Sequence, residues 1–455
     1  MKKYIQFLII FSSFSSFSQL GNIGSNFNKG ITSQQYEEMI NSLVKLYPYA
    51  SIPFFKEYMI LKPNGWSSEV ENSFEKLIEK VGTHNFENLP ENILNQFQVP
   101  SISFILGKKS FRQGRFPQAI SYLKKIPKGH YLRAFADHTQ GAIHSLNSNY
   151  TLADEFFSRC LESSQNTDLN RDYCQAGKAR NLFAQGQFDL ADKSYSKIKK
   201  TSPVWPNTLF EEAWNSYYQE KYNKTLGKLV SYKAPIFNFI FNPEIETLKA
   251  ISFMKLCLFD DTQRVVEDFH SNYGSAAKSL SGYIQKKRSN LDSFYNLMIR
   301  FETTRSAKNK IIGQILNSIR KEQAYKEIKN SLLGTLREQK KLLGDQGQLK
   351  KRLGLNLNEV LNSQRSLLGQ YVAKRLIEHK NNLQQALEEM SYIKLEILSK
   401  LKEQIYEEKE LNIKRGNVKF LKRKSNQYFW NFKGEFWADE LGDYVFALPS
   451  QCGSK

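Results

Sequence analysis

The chain has 455 residues, more than one hydrophobic core usually organises, so we expect two or three folding units. Apolar residues make up 40% of the chain and aromatic residues 13%, which excludes a wholly disordered protein. The formal net charge is +20, and residues 281–430 alone carry 31 Lys and Arg against 15 Asp and Glu. Most of the surplus positive charge therefore belongs to the C-terminal part.

Residues 1–18 have the composition of a secretory signal peptide. Lys2 and Lys3 precede an apolar run, and Ser16-Phe17-Ser18 offers small residues at the two positions that a signal peptidase reads. The run is too short for a membrane-spanning helix, and serines interrupt it. We expect cleavage after Ser18 and export to the periplasm or cell envelope, with no transmembrane segment in the mature chain.

Residues 19–99 are predicted to form a helical N-terminal cap or a divergent repeat. Leu20–Ser33 is rich in Gly, Asn and Ser, which indicates a leader without regular structure. The clearest helix begins at Ser68, a predicted N-cap with Glu71 three residues on, and ends at Gly82. Its apolar residues share one helical face. They are Val70, Phe74, Leu77, Ile78 and Val81.

A repeated pattern occupies residues 100–280. Ala119, Ala153, Ala191 and Thr225 hold the same place in four successive units, at spacings of 34, 38 and 34 residues. An aromatic residue lies three positions before each, and an aromatic residue or leucine lies four positions after it. This period is typical of helical hairpins that bury their faces only by stacking. A fifth unit is predicted at 244–269.

The units resemble the tetratricopeptide repeat family over about 135 residues, with Leu106-Gly107, Gly114, Phe116 and Ala119 matching its pattern in the first unit. The tryptophan and proline of the family pattern are irregular here. The resemblance implies an all-α solenoid whose first helices line a groove for an extended peptide or a partner helix. The groove positions that it implies are Lys108, Phe111, Arg112, Phe135, His138, Tyr173, Arg180, Phe183, Phe210, Trp214, Tyr217 and Tyr218.

The composition of that groove suggests a protein partner. Basic groups beside aromatic rings suit a segment that is acidic or bears carboxylates, through charge-assisted hydrogen bonds and stacking. The basic surplus also suits an anionic envelope surface, and it favours solubility. Nucleic acid is disfavoured as a partner, because export would separate the chain from it.

Residues 281–425 are predicted to form long basic helices. No proline occurs between Pro243 and Pro449, and one helix is predicted from Ile312 to Leu343. Gly344 and Gly347 favour an antiparallel hairpin at that point, and the alternative is a continuous, dimerising rod.

A heptad seam is predicted further along the same region. It starts at Leu383, and Lys394 interrupts it, so the sequence predicts an imperfect coiled coil. The apolar positions of this seam are Leu387, Met390, Ile397 and Leu401.

Residues 426–455 form a distinct aromatic tail, since Tyr428–Tyr444 contains seven aromatic residues. We expect the tail to fold back onto the helices, held by Cys452, and the alternative is a docking peptide for a partner. Gly434–Cys452 is faintly similar to the ends of exported repeat proteins from gliding or predatory Gram-negative bacteria. Some of those are labelled adventurous gliding motility proteins, so the likeness implies a place in an envelope complex.

Four cysteines allow three pairings. Cys160 ends one repeat and Cys174 begins the next, and such segments pack together, so this pair is preferred and leaves Cys257 with Cys452. The alternative is four buried thiols that never pair. No two Cys or His residues stand at ligand spacing, so no metal site is predicted.

The sequence contains no phosphate loop, dinucleotide fingerprint or nucleophile elbow, and no cofactor is predicted. We therefore expect an exported, non-enzymatic scaffold or adaptor that binds a protein partner through its groove, in an envelope or motility complex. One alternative is a cell-envelope enzyme in which the solenoid is accessory. Another is a nucleic-acid-binding protein, if the signal peptide is misread.

Overall fold

The computed structural model describes residues 33–61, 66–164, 171–287, 290–307, 309–342, 347–406 and 434–452. Within these ranges the chain is all-α, and no strand occurs. The predicted signal peptide, most of the leader, Gly344 and the first aromatic residues of the tail lie outside the described residues. None of the described helices combines the length and apolarity needed to cross a bilayer.

The chain divides into two compact units. Unit 1 takes the residues up to Ala136 and Glu322–Gln370, and unit 2 takes Asp137–Lys321 and the residues from Tyr371 onward. The sequence-based boundaries after residues 99 and 280 do not coincide with this division, whose breaks follow Ala136, Lys321 and Gln370. The first repeat belongs to unit 1 because Ile105 shares a buried cluster with the N-terminal helices.

Unit 1 begins with six helices and a 3₁₀ turn at Thr83–Asn85. The helices are α1 (Ser33–Leu46), α2 (Pro48–Leu61), α3 (Ser68–Val81), α4 (Glu91–Leu94), α5 (Pro100–Arg112) and α6 (Phe116–Leu123). All five apolar residues expected on one face of α3 are buried, and Gly82 follows the helix as expected. The N-cap is Ser67 and not Ser68, since its hydroxyl accepts from the Val70 N–H at 3.4 Å.

Two long helices complete unit 1 as an antiparallel hairpin, α17 (Gln323–Lys341) and the first part of α18 (Gln348–Tyr406). The amide of Gln339 near the end of α17 donates to Asn358 at 2.8 Å, and Gln364 further along α18 donates back to Ser331 at 2.8 Å. The predicted hairpin is therefore confirmed. The predicted helix from residue 312 to 343 is instead broken at Glu322, whose backbone is extended (φ −65°, ψ 139°).

Unit 2 consists of further hairpins followed by longer helices. Helix α7 (Arg133–Leu146) spans the division between the units. After it come α8 (Tyr150–Ser163), α9 (Arg171–Ala184), α10 (Phe188–Tyr195), α11 (Trp205–Tyr218), α12 (Tyr222–Val230), α13 (Glu244–Lys255), α14 (Phe259–Lys287), α15 (Leu291–Thr304) and α16 (Lys310–Lys321).

The hairpins turn in the same way. Two residues after the end of each first helix, one residue has a positive φ. These residues are Gly114 (72°), Ser148 (60°), Gly186 (72°), Glu220 (57°) and Cys257 (54°). The next residue donates to a carbonyl five positions back, as Gln187 does to Leu182 at 3.0 Å. The recurrence of this turn shows a helical repeat, and it includes the fifth unit predicted at 244–269.

Three glycines lie where helices approach closely. A Cβ added at Gly141 or Gly177 would lie 2.9 or 2.3 Å from the ring of Phe157, which packs between these two first helices. Gly107 is in the same position against Leu123, at 2.7 Å. A larger residue at these sites would displace the packed side chain, and this explains why Gly107 and Gly141 recur at the same place in the first two units.

The distal part of α18 has a buried seam at alternating spacings of three and four residues. Its members are Leu383, Ala386, Met390, Ile393 and Ile397. Lys394, which the sequence placed in the seam, is exposed. The predicted interruption is therefore wrong, because the register that buries Ile393 keeps the lysine in solvent.

Both cysteine pairs favoured by the sequence are bonded. Cys160 is joined to Cys174 and Cys257 to Cys452, with Cα–Cα distances of 5.8 and 5.0 Å. The first bond links α8 to α9, and the second links the turn after α13 to the tail. The described tail, Gly434–Cys452, lies against α11, α12 and α13, with Leu441 buried in the cluster that contains Trp205.

Candidate functional site

Six aromatic side chains adjoin one another in unit 2 and form what we call the aromatic surface. They are Phe183, Phe188, Trp214, Tyr217, Tyr218 and Tyr222. Each belongs to the end of a first helix or the start of a second helix in two successive hairpins. The repeated turn brings these helix ends to the same edge, so the rings meet there.

The rings contact one another in sequence. The Tyr218 ring centroid lies 5.4 Å from that of Phe183 and 5.6 Å from that of Phe188. Trp214 lies 5.9 Å from Tyr218, and Tyr217 lies 5.4 Å from Tyr222. These separations are typical of favourable aromatic pairs. Tyr218 is 53% exposed and the other five rings are half-buried, so the surface is accessible as well as packed.

Carboxylates border this surface. Burial and the neighbouring tyrosines raise the pKa of Tyr217, and the charge of Glu396 on α18 raises it further. Burial also raises the pKa of Tyr222, with a contribution from Glu220. Trp214 donates its indole N–H to Glu244 at 3.1 Å.

Glu244 itself lies in an acidic neighbourhood. Burial raises the pKa of its carboxyl against the effect of the Trp214 hydrogen bond, and Glu389 raises it further. The charged side chains that influence these three shifts are acids. Lys221, next to Tyr222, is paired with Asp189 at 3.8 Å, so the border of the aromatic surface carries more negative than positive charge.

The principal base of the predicted groove in unit 2 is already paired. Arg180 donates to both carboxylate oxygens of Glu211, from Nε at 2.9 Å and from Nη2 at 2.7 Å. Burial lowers the pKa of Arg180, but the hydrogen bonds to Glu211 and its charge outweigh this effect, and the pKa is raised. The Tyr195 hydroxyl also donates to Glu211 at 3.0 Å. A partner carboxylate would therefore have to displace an internal, bidentate ion pair.

The two predicted bases of unit 1 are paired as well. Lys108 and Arg112 both bind Glu87, at 2.8 and 2.6 Å. Burial alone would raise the pKa of Glu87, yet the two cations outweigh it and lower the pKa to about 2. These bases are engaged by a carboxylate that stays charged at any physiological pH.

The remaining predicted groove residues are mostly packed side chains. Phe111 and Phe135 belong to unit 1, where their rings adjoin Phe116 at 6.0 Å and Phe104 at 6.2 Å. Burial lowers the pKa of His138 to about 4, so its ring is neutral, and it contacts Phe157. The last two, Tyr173 and Phe210, pack against buried clusters of unit 2.

Four of the twelve predicted groove residues belong to unit 1 and eight to unit 2, and four of those eight lie in the aromatic surface. They are Phe183, Trp214, Tyr217 and Tyr218. The prediction missed Phe188 and Tyr222, although both hold the recurring aromatic position of the repeat. It also missed the acids that pair with the bases, for which no local pattern exists.

Within the described ranges no cluster of His, Cys, Asp and Glu is arranged to hold a metal ion. Neither a protein-family model nor a curated protein sequence matches this chain.

Proposed function

We propose that this chain is a non-enzymatic scaffold or adaptor that binds a protein partner on the aromatic surface of its helical repeats. The observation that carries the proposal is the contiguous set of six half-buried or exposed rings at the edge of two hairpins. Tryptophan and tyrosine side chains in such positions supply most of the binding energy at protein interfaces. Their ring contacts with one another limit the entropy lost on binding.

The partner segment that fits this surface carries basic side chains. Arginine and lysine stack favourably on aromatic faces, and the acidic border adds electrostatic attraction. The acidic segment suggested by the sequence is less favoured, because Lys108, Arg112 and Arg180 are all neutralised internally. The revised partner is therefore an extended basic segment with few acidic residues.

The cellular setting of the proposal rests on the sequence. The signal-like residues 1–18, the tetratricopeptide-like pattern and the tail similarity support a scaffold in the periplasm or envelope, including a gliding motility complex. Two disulfides are also typical of an oxidising compartment.

Crosslinking in the native cell, followed by purification of the full chain and mass spectrometry of captured proteins, would test this function. We expect the double variant Trp214→Ala/Tyr218→Ala to lose a partner that the wild type retains. A synthetic peptide from the captured segment should bind more weakly at high salt, because screening weakens its attraction to the acidic border.

The control is Trp437→Ala, which removes a tryptophan from the tail of the same unit that is as exposed as Tyr218 (57% against 53%). It should retain the partner, and all variants should keep the helical circular dichroism of the wild type. Equal recovery of the partner by Trp214→Ala/Tyr218→Ala and by the wild type would refute the proposal. A captured segment that is acidic would refute its charge assignment.

A further inference from the structure

A cavity of about 350 Å³ lies within unit 2, bounded by α12, α13, α14, α16 and the tail. Its apolar lining includes Leu226, Leu229, Ile240, Ile245, Phe253 and Phe446. The volume and the mainly apolar walls are typical of sites for small organic ligands. None of the six residues of the aromatic surface lines it, so the two sites are separate.

Three polar side chains that line the cavity have no hydrogen-bond partner among the described residues. They are Lys233, Tyr273 and Gln314. Each carries a donor: an ammonium, a phenolic hydroxyl and a primary amide. Burial raises the pKa of Tyr273, so its hydroxyl keeps its proton and donates. Three donors at one apolar cavity suit a ligand whose polar end accepts hydrogen bonds.

The charges at the cavity indicate the sign of that polar end. Lys249 is paired with Glu246 at 3.1 Å, so these two charges add no net charge to the lining, although Glu246 still contributes to the raised pKa of Tyr273. Lys233 is exposed and belongs to no ion pair of the described residues, so the lining has one uncompensated positive charge. An anionic, acceptor-only group matches both the charge and the donors.

We propose that this cavity binds an amphipathic carboxylate of the fatty-acid class. The aliphatic chain packs against the apolar walls, and the carboxylate accepts from Lys233 and from Tyr273 or Gln314. The apolar body supplies the hydrophobic part of the affinity, and the lysine distinguishes a carboxylate from an alcohol of the same length.

Titration calorimetry of the full, oxidised chain with dodecanoate, below its micellar concentration, tests this site. We expect saturable binding with one ligand per chain, and dodecanol should bind roughly tenfold more weakly. Lys233→Ala should weaken dodecanoate to a similar extent. The matched control Lys128→Ala removes an exposed lysine of unit 1 and should leave the affinity unchanged.

A second variant tests the cavity itself. Ile240 is half-buried at the lining, so Ile240→Trp should fill the space and abolish dodecanoate binding without loss of the thermal unfolding midpoint. Equal affinity in this variant and in the wild type would place any binding elsewhere and overturn the proposal. Equal affinity for dodecanol, or no binding of dodecanoate at all, would overturn it as well.

Discussion

The side-chain amide of Asn223 binds both backbone polar groups of Leu448. Its Nδ2 donates to the Leu448 carbonyl at 2.9 Å, and its Oδ1 accepts from the Leu448 N–H at 3.1 Å. The carbonyl of Asn223 also accepts from the Phe446 N–H at 3.0 Å. Helix α12 thus holds the C-terminal tail through backbone groups of Phe446 and Leu448.

Asn223→Ala should loosen the end of the tail. The substitution leaves two half-buried backbone groups of Leu448 without their partner, at a cost of about 1–3 kcal/mol. We expect faster hydrogen exchange at residues 446–451, measured by mass spectrometry with the disulfides intact. The matched control is Asn147→Ala, at an exposed turn position. Unchanged exchange in the tail of Asn223→Ala would contradict this account.

Gly227 lies one helical turn after Asn223 on α12, and Gly227→Ala should push the tail away from the helix. A Cβ at this position would lie 1.7 Å from the Tyr444 carbonyl oxygen, and backbone on both sides leaves no flexible side chain to move away. We expect the free energy of unfolding to fall by about 1–3 kcal/mol, as for other overpacked sites.

Gly274→Ala provides the opposite control. It is also a helical glycine, on α14, but no atom lies within 4 Å of its added Cβ. This variant should gain about 0.5–1 kcal/mol from its lower unfolded-state entropy. Urea denaturation of both variants measures the difference, and a Gly227→Ala variant as stable as Gly274→Ala would show that the tail does not pack as described.

The two disulfides should differ in their accessibility to reductant. Cys160 and Cys174 are fully buried, whereas Cys452 is exposed at the end of the tail. Dithiothreitol under native conditions should therefore reduce Cys257–Cys452 first, since attack requires access to a sulfur atom. Alkylation followed by peptide mass spectrometry identifies the order, and reduction of both bonds at the same rate would contradict it.

Removing the exposed bond should also cost stability. The double variant Cys257→Ser/Cys452→Ser loses a cross-link between residues 195 apart in sequence, and we expect about 2–4 kcal/mol less stability. The matched control is the wild type after selective reduction and alkylation, which should unfold at a similar urea concentration.

The features that the sequence predicted are those encoded by local spacing. Gly107 and Gly141 hold the same place in successive units, 34 residues apart, and in each unit a side chain of the second helix occupies the space of a Cβ, so the pattern records the packing directly. Ser148 and Glu220 adopt the same positive φ as Gly114 and Gly186 at their turns. Serine and glutamate rarely adopt this conformation, so their presence in the sequence does not predict it. The break at Glu322 has no proline or glycine to mark it.

The candidate site was harder to predict, because its chemistry depends on pairs that are distant in sequence. Nothing near Arg180 in the sequence indicates that it is paired, because its partner, Glu211, lies 31 residues away in the next hairpin. The rings of the aromatic surface follow the repeat and were largely predictable. Its acidic border includes Glu396 of α18, far outside the repeats.

A buried carboxylate makes the stability of unit 1 depend on pH. Glu338 of α17 accepts from the backbone N–H of Tyr49, at 3.0 and 3.1 Å to its two oxygens, and from that of Ala50 at 3.1 Å. It therefore caps the first turn of α2. Burial raises the pKa of this carboxyl to about 7 and outweighs the opposing effect of these backbone hydrogen bonds.

Because the pKa of Glu338 is higher in the folded than in the unfolded chain, the folded state binds the proton more tightly. Its contribution to stability is complete below the unfolded pKa of about 4.5 and is lost as the pH rises through about 7. The full loss is at most about 3 kcal/mol.

Glu338→Gln keeps one acceptor for the two N–H groups and does not titrate, so we expect its urea midpoint to change less between pH 5 and pH 8. Thr335→Val, one turn away on α17, removes a buried hydroxyl without removing the carboxylate and should keep the pH dependence of the wild type. If the wild type and Glu338→Gln lose stability equally over that range, another group must be responsible.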